Sequence, residues 1–217
     1  MLTALLVATF ALQEHAAWER FAPGSWAEHR TTGTRGGQPV KEVVKTSLKD
    51  ITDLELVLII ETTDAEGGRV VGNLKYPLPQ RAAPKEEAGT KVGQEELTVD
   101  GRIFACEIRE RRGARRWISS GVKANGGLLK SEAISARVKV LSRVLKLEEK
   151  VRVGTATVTC WVREDVTETG DQKTTRTHWI SDEVPGGLVR VEVRQTRGKD
   201  RVEETDTILA SFEVVKK

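Results

Sequence analysis

Trp117 and Trp179 are the side chains best suited to receive an apolar ligand, because an indole presents a broad ring to hydrocarbon and one N–H to a polar neighbour. The same rings equally serve to plug the end of a sheet, and both readings stay open here. Each Trp begins a Trp-Ile-Ser run that leads to a glycine pair, Gly126-Gly127 in one case and Gly186-Gly187 in the other. Pro185 fixes its own φ and the glycines permit a sharp reversal, so Pro185, Gly186, Gly187, Gly126 and Gly127 read as structural turns. A phosphate-cradling loop would need a strand-to-helix context and a basic residue that this motif lacks.

A second kind of chemistry is electrostatic. Arg102, Arg109, Arg111, Arg112, Arg115, Arg116 and Lys123 concentrate positive charge in one stretch, offset by Glu107 and Glu110. If 111–116 is a hairpin tip, the basic patch of Arg109, Arg111, Arg112, Arg115 and Arg116 suits membrane headgroups, a lipid phosphate or an acidic protein, with a plain soluble turn as the competing reading. Nucleic acid is disfavoured, since aromatic residues are not interleaved with these charges and Tyr76 is the sole tyrosine.

Catalysis finds little support. Ser181 stands near His178 and Asp182, but neighbours on a strand alternate faces and do not by that fact assemble a triad. A hydrolase is therefore a minor alternative, with no catalytic residue assigned. The three histidines, His15, His29 and His178, lack His-x-His or HExxH spacing, and neither metal nor cofactor is expected. Cys106 and Cys160, the only cysteines, are a candidate disulfide in an oxidising compartment; buried, inert thiols are the primary reading.

The elements that must position these residues read as strands. The chain has 217 residues, 38% hydrophobic and 31% charged, with a formal charge of +3, which excludes collagen-like and uniformly disordered chains and is too small to imply an anionic partner. No apolar run is long enough for a spanning helix. Met1 to Leu12 is uncharged and apolar, the size of a secretory-signal core though without a basic start, and small residues follow it. The competing reading is an N-terminal amphipathic helix reaching Phe21, with Leu5, Leu12 and Trp18 docked on the body. The expectation is a signal segment over 1–12 and one β-rich domain over 13–217, working in the periplasm or outside the cell, with the cytoplasm as the alternative.

Residues 27–34 and 41–48 resemble two strands around the Gly36-Gly37 turn, and Leu54, Leu56, Leu58 and Ile60 alternate on a clearer third that closes at Gly67-Gly68. Pro77, Pro79 and Pro84 mark a charged, weakly apolar stretch through Glu96, read as a long exposed loop around 77–96. The second half repeats itself: a strand with Cys106, then Trp117-Ile118-Ser119, Gly126-Gly127 and a further strand, matched by Cys160, Trp179-Ile180-Ser181, Gly186-Gly187 and its own further strand. Phe104, Cys106 and Ile108 share a face, as do Val158, Cys160 and Val162, which turns both thiols to the apolar side. Residues 133–151 fit a helical stripe or two extended pieces; the matching 207–215 stretch alternates cleanly and decides for strand.

The run from Trp179 to Arg190, together with Phe21 to Trp26, resembles exported bacterial proteins of the LolA/LolB-like curved-sheet group, with a looser echo over Cys106 to Glu132. That resemblance implies a strongly curved antiparallel sheet, an incomplete barrel with one or two helices as a lid, and carriage of a lipid or acyl-containing ligand in an apolar cavity. Lys123-Ala124-Asn125 departs from the Val184-Pro185 approach to the glycine pair. The expected function is non-catalytic binding of an apolar or acyl-containing molecule, with Trp117 and Trp179 at the cavity mouth. A structural or interaction module using the 109–116 segment is the runner-up.

Overall fold

A computed structural model describes residues 15–77 and 89–216; the apolar opening and the centre of the Pro-rich stretch lie outside the described residues. Alternation of apolar and polar side chains resolves into strands almost everywhere. They are β1 (Trp26–Arg35), β2 (Gln38–Ile51), β3 (Glu55–Thr63), β4 (Arg69–Pro77), β5 (Thr90–Val99), β6 (Arg102–Arg111) and β7 (Ala114–Ile118). After a 3-10 turn (Ala124–Gly127) come β8 (Leu128–Ile134), β9 (Val138–Val153), β10 (Ala156–Thr169), β11 (Gln172–Ile180), β12 (Leu188–Arg197) and β13 (Asp200–Glu213). Among the described residues, the only other helix is the single turn α1 (His15–Trp18).

All these strands join one antiparallel sheet that does not close into a barrel, in the order β4-β3-β2-β1-β13-β12-β11-β10-β9-β8-β7-β6-β5. Every pairing but one is between strands consecutive in the chain; the exception is β1 with β13, which sets Trp26 opposite Glu213 and Ala27 opposite Phe212. The ends of the described chain meet at this joint, where the Ala22 N–H donates to the Val215 carbonyl (3.1 Å). The two edges, β4 and β5, are chain neighbours.

The expected loop through Glu96 is shorter than its composition suggests, because Thr90–Val99 is a strand. Its position explains the misreading: β5 is an edge, exposed along most of its length, so only Val99 is buried and period-two patterning is muted. β4, the other edge, is concealed for the same reason, with Val70 and Val71 both exposed. The 133–151 stretch is extended, divided between the end of β8 and most of β9.

Two apolar clusters stabilise the sheet. The larger contains Trp18, Phe21, Leu56, Leu58, Val158, Cys160, Val184, Val189 and Leu209. The smaller is built from Val99, Cys106, Trp117, Val122, Leu129 and Val144. Cys106 and Cys160 thus belong to different clusters, and both are free thiols. Three strands stand between β6 and β10, on the order of 19 Å along the sheet at about 4.8 Å per strand, whereas a disulfide needs Cα atoms about 6 Å apart. The candidate disulfide is therefore excluded by register. Burial pushes the Cys106 thiol up, and burial, with the charges of Glu149 and Glu183, pushes Cys160 up to about 12. At pH 8 both thiols are expected to resist a soluble thiol reagent in the native protein and to titrate as two only after denaturation; an immediate native reaction, or none in denaturant, would contradict this.

Candidate functional site

The internal repeat is carried residue by residue into the structure. Glu95 on β5 pairs with Cys106 on β6, and Glu149 on β9 pairs with Cys160 on β10. Trp117 lies opposite Lys130 and Trp179 opposite Arg190, and one irregularity follows each Trp in the same place, before Ile118 and before Ile180. The four strands β5–β8 thus correspond to β9–β12.

Each tryptophan is held from two sides. The Trp117 N–H donates to Glu95 Oε2 (2.6 Å) while the Lys130 ammonium sits 4.3 Å from the ring centroid. Trp179 hydrogen-bonds Glu149 and lies under the Arg190 guanidinium at 4.9 Å. Lys146, and to a lesser extent this indole, hold the Glu149 carboxyl below the usual range against the opposing effect of burial. Lys130 and Arg190 each also pair with a glutamate two residues on, Glu132 and Glu192. This acid–indole–cation stack combines a charge-assisted hydrogen bond with a cation–π contact. Through these contacts each ring ties its four strands together.

The turns correspond as well. Ser119 donates its N–H to the Gly127 carbonyl (2.9 Å), and Ser181 donates to Gly187 (2.8 Å). Val122 and Val184 are both buried beneath them. Pro185, Gly186 and Gly187 are buried. Glycine at 186 has φ +77°, and a Cβ there would stand 2.8 Å from the Trp18 ring, so the indole from α1 lies directly on the turn. Arg20 pairs with Asp182 beside it.

The first copy has no such cover among the described residues. Nothing lies within 4 Å of a Cβ built on Gly126. In its place is an open groove of about 970 Å³ between β5, β6 and the 118–126 turn. Ala105, Cys106, Ile118 and Val122 supply apolar surface, and Glu95, Glu96, Glu107 and Arg109 supply charge. Hydrogen bonds from Lys91 and Arg109 hold the Glu107 carboxyl below the ordinary range. Sequence comparison within the chain could have located this groove through Gly121, which stands where the second copy has Glu183.

The remaining predicted residues are dispersed. Arg112 and Gly113, at φ +50° and +77°, form the two-residue turn between β6 and β7, so the basic segment is a hairpin tip. Arg109 is engaged by Glu107 and Arg115 by Glu110 (3.0 Å), while Arg111 and Arg116 also have partners. His178 Nε2 lies 3.3 Å from Asp165. Burial would raise the Asp165 carboxyl, but His178, Arg163 and Ser142 together outweigh it and hold it low. The Ser181 hydroxyl accepts the Glu183 N–H (3.2 Å), and Asp182 faces Arg20, so Ser181, His178 and Asp182 each serve a different neighbour. His29 donates to the Leu188 carbonyl (2.9 Å), and burial pushes its pKa down.

Fold and site together define the class: an open antiparallel sheet carrying two copies of a four-strand motif, one filled by the chain's own Trp18 and one open. No family model and no curated protein matches the chain. Solved structures to which it is similar include a candidate lipoprotein from Parabacteroides distasonis (13% identity, TM-score 0.46, covering 88% of this chain and 96% of that one). Another is an exported protein with YmcC-like fold from Bacteroides fragilis (11%, 0.42, 89% and 97%). A third is the hypothetical lipoprotein YmcC from Escherichia coli (12%, 0.32, 97% and 96%). These are weak likenesses, and neither the fold nor the chemistry of the groove rests on them.

Proposed function

We propose that the protein binds an apolar or acyl-containing molecule, without catalysis, in the open groove of the first motif, and that it does so as an exported carrier of the LolA/LolB-like kind. The observation that carries this reading is the groove itself: about 970 Å³ over Ala105, Cys106, Ile118 and Val122, at the place where the second copy is filled by a tryptophan. That volume lies within the range of ligand pockets, about 300–1,000 Å³. The uncharged opening from Met1 to Leu12 supports placement in the periplasm or outside the cell. Ala105→Trp, an exposed strand position on the groove wall, is expected to weaken binding of a fluorescent acyl probe at least about tenfold with an unchanged β spectrum. Undiminished binding to that variant would remove the groove from consideration.

The hairpin tip favours a second reading, in which Arg112 and its neighbours meet an acidic protein or anionic headgroups. Its signature would be association that weakens steeply with salt and is unaffected by Ala105→Trp.

A further inference from the structure

We propose that the open groove docks a segment of another protein, a single helical turn that presents two aromatic side chains three residues apart. This rests on reading the groove as a ligand site and names the class of partner. The second copy shows what such a turn does to this motif. Trp18 and Phe21 are three residues apart, and the Phe21 N–H donates to the Trp18 carbonyl (3.1 Å). Both rings are buried in the larger cluster, together with Cys160, Val184 and Val189. A Cβ on Gly186 would stand 2.8 Å from the Trp18 ring, so this turn lies directly on the glycine pair.

The first copy keeps the receiving surface and lacks the occupant. Cys106, Val122 and Leu129 stand where the second has Cys160, Val184 and Val189, and they belong to the smaller cluster. Among the described residues, no side chain from ahead of β5 joins that cluster. Lys123-Ala124-Asn125 replaces Pro185 alone, and the longer turn brings Ala124 onto the cluster, yet Gly126 stays bare and about 970 Å³ stays open. The chain holds no second turn of this kind in reserve. Outside the described residues, Phe10 is the only Phe, Trp or Tyr, and Trp18 and Phe21 are already buried where they are. The occupant therefore comes from another protein, in the manner of a helical turn whose aromatic anchors at i and i+3 fill a groove. Its hold is apolar. Ser120 stands where Asp182 pairs with Arg20, so that ion pair has no counterpart in the first copy.

The probe is a blocked peptide of residues 15–22 carrying an N-terminal benzophenone, offered to the full-length protein. On irradiation it is expected to attach within 94–126. Ala105→Trp in the protein, or Trp18→Ala or Phe21→Ala in the peptide, should each weaken binding about tenfold or more. Arg20→Gln in the peptide should leave binding unchanged. Attachment within 158–189, or a loss with Arg20→Gln, means that the peptide has exchanged with the chain's own Trp18, and overturns the proposal. No binding at about 1 mM peptide overturns it too. The fluorescent acyl probe then separates the two readings. If it binds in the groove and the peptide does not, the groove stands as a site for a small apolar molecule and only the protein partner is lost; if neither binds, both readings fail.

Discussion

Trp18→Ala is expected to lower the unfolding free energy by about 3–5 kcal/mol, the range for removing a buried aromatic side chain. Trp18 is 4% exposed, sits in the larger apolar cluster and covers Gly186, so its loss leaves a cavity over Val184 and Pro185 that the buried turn cannot collapse to fill. Urea unfolding monitored by circular dichroism measures the loss, and added indole should recover part of it by occupying the space. Paired glycine substitutions separate cover from backbone. Gly186→Ala combines an αL position with a clash against the Trp18 ring, whereas Gly126→Ala, at φ +60° in open space, should cost only about 1–2 kcal/mol of backbone strain. A loss below about 1 kcal/mol for Trp18→Ala, or equal losses for the two glycines, would mean that Trp18 is not the filler of the second motif.

Trp117→Ala should have an effect of similar size, about 3–5 kcal/mol, for a different reason. Trp117 is 5% exposed and reaches across β6 to Glu95 while lying against Lys130, so truncation removes both the packing of the smaller cluster and the partner of two charged groups. Trp117→Phe keeps most of the ring and removes the N–H; it should cost about 1.5–3 kcal/mol, the scale of a hydrogen bond to a charged group. In a double-mutant cycle with Glu95→Gln that loss should be markedly non-additive. An additive cycle would show that the short contact to Glu95 contributes nothing to stability, and a fold insensitive to Trp117→Ala would return the ring to the role of a ligand contact.

The repeat was legible because its markers are rare residue types in fixed order: Cys, Trp-Ile-Ser, Gly-Gly. Its energetic partners were not, since Glu95, Glu149, Lys130 and Arg190 are common residues whose meaning depends on which strands lie side by side. Alternation disclosed the interior strands, such as β12, where Val189, Val191 and Val193 are buried between partly exposed neighbours. It failed at β4 and β5 because an edge has no second neighbour, and exposure on both sides erases the pattern it depends on. The groove is made of what the first copy lacks, namely the covering indole and the Glu183 carboxylate, and an absence becomes visible only after the two copies have been superposed in register.

The pairing of β1 with β13 has a consequence for the order in which the protein can form. β1–β4 and β5–β13 are each runs of neighbouring strands that can assemble by local hairpins, but the only strand pairing between the two runs is β1 with β13, at partners such as Trp26 and Glu213. Ordering the chain between them precedes the gain from that contact, so the joint carries the largest loop-closure entropy of the molecule. During synthesis the first run emerges with its β1 margin unpaired and stays so until the whole of the second has been made. The slowest step of folding, and the interval of greatest exposure to aggregation, is then the zipping of the last strand onto the first.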